Sequence, residues 1–150
     1  MVKPLKGIVV DGSTRGNPGP SEYRGVDLLT HKILFHVSID VATNNITEFI
    51  ALCHAVFYAL ENTEESTDIY TDSITAISWV KKKISNSSLI PGRNTAKAIN
   101  YLTRVENKLK PLNIKVVGSD ELLINNRVSI LKWYTSEWGE IPADFGRKTY

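Results

Sequence analysis

Cysteine is nearly absent. Cys53 stands alone in an apolar stretch, which excludes a disulfide framework and a cysteine-rich zinc site and fits a reducing compartment. No apolar run approaches the length of a membrane span, and the first residues lack the charged-then-apolar layout of a secretory signal, so a cytoplasmic protein without a membrane partner is expected. Strong charge of either sign is missing as well. A net charge of +2 does not announce a nucleic-acid binder, so any such role must come from local placement, for which Lys81-Lys82-Lys83 is the obvious candidate. Repeats and low-complexity segments do not occur. What remains is a chain of 150 residues with 42% hydrophobic content, enough to bury a sizeable core, and residues 1–150 are expected to form a single domain.

Three β-like segments come first, at residues 6–11, 23–30 and 32–39, and the short link Thr30-His31-Lys32 suggests a hairpin between the second and third. A helix follows. Its apolar residues Ile46, Phe49, Ile50, Cys53, Val56, Phe57 and Leu60 recur at three and four, with Asn45 as the expected N-cap. A strand at 68–71 leads into a second helix at 73–83, a loop at 85–94 and a third helix at 95–109, which Pro111 stops. In the tail, 113–117 and 128–134 read as strands separated by polar residues. The second is taken as the sheet strand, the first as an insertion with its own short hairpin. Strands in a meander that then alternate with helices imply an α/β fold: a five-stranded mixed sheet, three antiparallel strands then parallel ones, with helices packed on both faces.

Acids stand at the ends of these strands. Asp11 closes the apolar run Gly7-Ile8-Val9-Val10 and opens the turn Asp11-Gly12-Ser13-Thr14-Arg15-Gly16-Asn17-Pro18-Gly19-Pro20; Asp72 closes Ile69-Tyr70-Thr71. Neighbouring parallel strands lie only about 4.8 Å apart, so pairing of these two would bring both carboxylates to one sheet edge. The crossover that parallel neighbours require would carry the helix beginning near Asn45 and place Glu48 in its first turn. Converging carboxylates hold divalent metal, and two such ions about 4 Å apart would serve phosphoryl chemistry. Without metal the crowding is repulsive and raises some of the pKa values.

The Asp11-Gly-Ser-x-x-Gly-Asn-Pro-Gly turn, Thr43-Asn44-Asn45 with Glu48 three residues on, Thr71-Asp72-Ser73 and a late Asp144 together resemble type 1 ribonuclease H, from the first strand to Lys148. The closing segment Trp138-Gly139-Glu140-Ile141-Pro142-Ala143-Asp144-Phe145-Gly146-Arg147-Lys148 resembles a bacterial, Bacteroides-like branch of that family. The resemblance implies a ribonuclease H-like fold and a monomeric endonuclease. It would hydrolyse the RNA strand of an RNA–DNA hybrid to 5′-phosphate and 3′-hydroxyl ends with two Mg²⁺ or Mn²⁺ ions. Asp11 would bridge the ions, Glu48 and Asp72 complete the one facing the leaving 3′-oxygen, and Asp144 the one that activates water. Each acid alone has a plainer reading: turn starter for Asp11, capping box for Glu48, N-cap for Asp72, surface acid for Asp144. Their joint order outweighs these.

The same resemblance implies that Asn17, Asn44 and Asn45 read ribose in the minor groove, where the 2′-hydroxyls of a hybrid are displayed. Gly12 and Ser13 would add backbone contacts, and Thr43, assisted by Asn94, would hold a DNA-strand phosphate. Trp79 and the lysines after it resemble the basic protrusion that grips DNA, here about one turn shorter; a solvated helix end favoured by the dipole is the competing reading for Lys81 to Lys83. The mobile-loop histidine usual before the last aspartate is missing, since no histidine follows His54. His31, His36 and His54 read as structural, and Glu140, or Glu137, is the candidate stand-in for proton handling. Two other readings compete with a free-standing nuclease: a non-cleaving module of the same fold that binds hybrid or structured RNA, and the nuclease domain of a reverse-transcriptase or integrase-like polyprotein.

Overall fold

A computed structural model describes residues 2–87, 89, 92 and 94–144. The elements run β1 (Ile8–Thr14), β2 (Gly19–Asp27), β3 (Ile33–Ala42), α1 (Asn44–Asn62), β4 (Thr67–Thr71), α2 (Ile74–Lys82), α3 (Ala96–Leu109), β5 (Ile114–Gly118), β6 (Glu121–Ile124), β7 (Val128–Lys132) and α4 (Thr135–Trp138). They build one mixed sheet in the order β3-β2-β1-β4-β7-β6-β5. β1, β2 and β3 form the antiparallel meander, β4 pairs in parallel with both β1 and β7, and β5-β6-β7 close the other side antiparallel.

The sheet has seven strands where five were expected. The additional pair is the β5–β6 hairpin, which pairs with β7 and so extends the sheet instead of standing apart. Leu122 and Ile124 alternate inward along β6, and the three-residue turn from β6 to β7, Asn125-Asn126-Arg127, is left-handed at Asn125 and Asn126 (φ 50° and 60°). The second strand also ends earlier than expected. Asp27 Oδ1 accepts the amides of Leu29 and Thr30, and His31 adopts φ 63°, so the chain turns at 28–31 and His31 is a turn residue.

Helices α1, α2 and α3 all pack on one face. α1 is central: Ile46, Phe49, Ile50, Leu52, Cys53 and Val56 are buried among β1, β4 and the other two helices. Each such side chain contributes roughly 1.5–3 kcal/mol of burial free energy. Burial also raises the Cys53 thiol far above its usual range, which makes it a packing residue and not a nucleophile. His54, on the same helix, stacks on Phe35 at 3.9 Å and bonds the Tyr23 hydroxyl through Nδ1. The opposite face carries a smaller core of Val9, Val26, Leu28, Tyr70, Trp133, Ile141 and Ala143. It is covered by α4 and the segment after it. Among the described residues the two faces are therefore unequal, with the long helices on one and the short helix α4 plus the strap after it on the other.

Candidate active site

β1 and β4 run side by side with Ile8 opposite Ile69 and Val9 opposite Tyr70, a register that carries Asp11 level with Asp72 just past the end of β4. α1 delivers the third acid. Its N-cap is Thr43, not Asn45: Thr43 Oγ1 accepts the Ile46 amide, so Glu48 lies beyond the capping turn and a capping box does not form. Glu48 instead reaches the sheet, where its Oε1 accepts the Gly12 amide at 2.7 Å. Gly12 is required there, because a Cβ would stand 2.7 Å from Thr47 Cγ2 and 3.1 Å from Glu48 Oε1. Ser73, not Asp72, caps α2 through its Oγ on the Ala76 amide, so the Asp72 carboxylate does not serve as the helix cap.

Carboxylate oxygens of Asp11, Glu48 and Asp72 all lie within 4.8 Å of one another, Asp11 and Glu48 buried and Asp72 exposed. The Glu48 carboxyl is pushed well above the usual range, first by burial, then by the charge and hydrogen bond of Asp11 and the charge of Asp72, against which the Gly12 amide pulls weakly. A pocket of hard anionic oxygens, open on the Asp72 side, fits a divalent cation of the Mg²⁺ or Mn²⁺ kind and offers no thiolate or imidazole to a softer metal.

Asp144 is not one of the three converging carboxylates. Its backbone is tethered to β2. Arg24 Nε donates to the Ala143 carbonyl at 2.8 Å and Nη2 to the Asp144 carbonyl at 2.5 Å, and Arg24 is the residue on β2 directly opposite Asp11. The segment leading to Asp144 leaves β7 with the Trp133 amide on the Thr71 carbonyl, then holds its course through Trp133 Nε1 on the Gly139 carbonyl and through burial of Ile141 and Ala143. Trp138 packs edge-on to Trp133. This packing steadies the strap that leads to the last acid; Phe145 falls outside the described residues. Arg24 and Trp133 were not legible as site residues, since nothing in the sequence states that Arg24 faces Asp11 until the strand register is known.

Of the expected substrate residues, the structure brings Asn17, Thr43, Asn44 and Asn45 to one exposed rim, where Asn17 Oδ1 accepts the Asn44 amide at 2.9 Å. Ser13 is buried, and the Gly12 amide is engaged by Glu48. Asn94 lies exposed in the turn before α3. Trp79 is only 7% exposed and meets Phe49 edge-on, so it is chiefly a core residue. Lys83 departs from the expected basic run: with φ 61° it ends α2, and its Nζ bonds the Lys110 and Leu112 carbonyls. Lys81 and Lys82 remain exposed. Glu137 and Glu140 are exposed, and His36 pairs with Glu22 at 3.6 Å on the sheet.

A mixed sheet whose parallel strands deliver two aspartates to one edge, met by a helical glutamate, defines an α/β protein built around an acidic, cation-accepting site. A family model places it further: RNase H matches residues 6–117, and the chain belongs to that family, a ribonuclease H enzyme. The matched stretch contains Asp11, Glu48 and Asp72 and ends before Asp144. Among solved structures it is similar to the N-terminal RNase H domain of Rv2228c from Mycobacterium tuberculosis, solved as a fusion with maltose-binding protein (22% identity, 71% of this chain and 75% of that one, TM-score 0.45). RNase H1 of the halophilic archaeon Halobacterium salinarum NRC-1 gives 20% identity over 87% of this chain and 86% of that one, with TM-score 0.49. LC11-RNase H1, solved in complex with an RNA/DNA hybrid, gives 15% identity over 87% and 86%, with TM-score 0.46.

Proposed function

We propose that this chain, acting as a single-domain monomer of the Bacteroides-like bacterial branch, cleaves the RNA strand of RNA–DNA hybrids endonucleolytically and leaves 5′-phosphate and 3′-hydroxyl ends. The observation that carries the reading is the convergence of Asp11, Glu48 and Asp72 within 4.8 Å at the edge where β1 and β4 part, in a chain of the RNase H family. A pair of Mg²⁺ or Mn²⁺ ions, when bound, supplies an activated water on one side of the scissile phosphate and charge neutralisation of the departing 3′-oxygen on the other.

The chain's own residues divide the rest. Asp11 would be shared between both cation positions. Glu48 and Asp72 serve the leaving-group side, and Asp144 serves the water side from its strap. Asn17, Asn44 and Asn45 face the ribose groove, with Gly12 and Ser13 contributing backbone; Thr43 and Asn94 hold a phosphate of the DNA strand, Trp79 gives its exposed edge to a deoxyribose, and Glu140 takes up protons where a histidine would otherwise stand.

Incubating the purified chain with a labelled hybrid, in Mg²⁺, in Mn²⁺ and in EDTA, tests the reading directly. Internal cuts in RNA alone, abolished by EDTA, are expected. Equal cutting of duplex DNA, or cleavage undiminished by EDTA, contradicts it.

A further inference from the structure

We propose that Arg24 is a positioning residue for this reaction: its guanidinium seats the backbone that presents Asp144 to the acidic cluster. The inference rests on the assignment of Asp144 as a cation ligand made above.

Arg24 projects from β2 on the same sheet face as Val26, and there it meets the strap formed by residues 139–144. Two of its donors engage two consecutive carbonyls, Nε on Ala143 and Nη2 on Asp144, with the fixed geometry of a planar fork. The other anchors act earlier along the strap: the Trp133 indole holds Gly139, and burial holds Ile141 and Ala143. The Asp144 amide bonds back into the strap, to the Ile141 carbonyl. Arg24 thus ties the last described peptide of the strap to the sheet.

Its place on the sheet gives that tie a catalytic meaning. Arg24 stands opposite Asp11 in the β1–β2 register, so one rung of the sheet fixes Asp11 by covalent connection and the late acid through the guanidinium. Ligands from distant parts of a chain coordinate one ion only when their backbones share a rigid frame, and outer contacts that orient ligands are worth about 10–100-fold in metal affinity or activity. Glu22 and His36, which face the same side as Arg24, pair with each other at 3.6 Å.

The test compares Arg24→Ala and Arg24→Lys with Asp144→Asn in the full chain. Three quantities are read: amide hydrogen exchange over residues 140–144 in metal-free protein, the Mn²⁺ concentration giving half-maximal hybrid cleavage, and kcat and KM for the hybrid. Arg24→Ala should speed exchange of the Ala143 and Asp144 amides, raise the Mn²⁺ requirement and lower kcat by about 10–100-fold, with KM for hybrid unchanged. Arg24→Lys should recover part of each effect, since an ammonium keeps the charge but lacks the two separate donor nitrogens of the planar fork. If Arg24→Ala fails to fold, Arg24→Lys carries the test through its raised Mn²⁺ requirement. Wild-type Mn²⁺ dependence and kcat in a folded Arg24 variant, alongside a crippled Asp144→Asn, overturn the positioning role and leave the ligand assignment standing. Wild-type cleavage by Asp144→Asn overturns the ligand assignment, and the present inference with it.

Discussion

At Glu48, burial and like charge push in the same direction. The carboxyl sits 4% exposed against Asp11 and Asp72, so the metal-free folded protein holds a proton that the unfolded chain has released by about pH 4.5. Unfolding therefore releases that proton, and stability falls as pH rises from 4.5 toward the raised value of the folded state. In EDTA, Glu48→Gln should remove this decline and melt at or above the wild-type temperature at neutral pH; a variant whose melting curve still tracks the wild-type pH dependence would show that Glu48 is not the group responsible. Asp11 offers the complementary case. Asp11→Asn keeps the shape of the side chain but takes away the charge that both cation positions would share, so cleavage should fall by several orders of magnitude while hybrid binding, measured by gel shift in EDTA, persists. Near-normal cleavage from a preparation free of contaminating nuclease would contradict the shared-ligand role.

Among elements, the joint between β1 and α1 is the tightest. Gly12 lets the helix come down until Glu48 meets its amide, and Thr47 fills the space a side chain would need. Gly12→Ala must push α1 from the sheet, at a cost of about 1–3 kcal/mol for overpacking, and it should weaken metal binding because Glu48 travels with the helix. Denaturant melts and a Mn²⁺ titration read the two effects separately, and an Ala variant with wild-type values in both would show that the joint has slack. The sequence announced this joint only in part. The apolar run ending in Asp11 and the three-and-four periodicity of α1 were legible, since burial of one face imposes them. The cap was misplaced because Thr43, Asn44 and Asn45 are all good capping residues and only the observed Thr43–Ile46 bond separates them. The β5–β6 hairpin was half-legible: the polar stretch after 113–117 signals a turn, but β6 is a four-residue strand whose inward Leu122 and Ile124 acquire meaning only beside β7. Likewise, Lys83 looked like the end of a basic run, and its bonds to Lys110 and Leu112 depend on where the α3–β5 turn falls in space.

For the whole molecule, the site works as a meeting point of chain segments that lie far apart in sequence. β1, α1 and β4 each bring one acid to the same 4.8 Å neighbourhood, while the strap from β7 is tied to β2 beside them. Local patterning could place Asp11 and Asp72 at strand ends and Glu48 early in its helix, yet the frame we propose for the late acid depends on Arg24 facing Asp11, which is a property of the assembled sheet. In metal-free protein this meeting point is a zone of repulsion, and a divalent cation should convert it into a tie between elements. Binding to the folded state alone stabilises by about 2.7 kcal/mol at a hundredfold excess over Kd. For a chain of this size, with roughly 2–4 °C per kcal/mol, that corresponds to a rise in Tm of about 5–10 °C. The rise should grow with the logarithm of Mn²⁺ concentration, reverse on EDTA addition and be largely lost in Asp11→Asn, whose own metal-free Tm should be no lower than wild type because a clustered charge has been removed. Scanning calorimetry of both proteins across a Mn²⁺ series decides the matter: an equal shift in the two would mean that the cation stabilises from somewhere other than the acidic cluster.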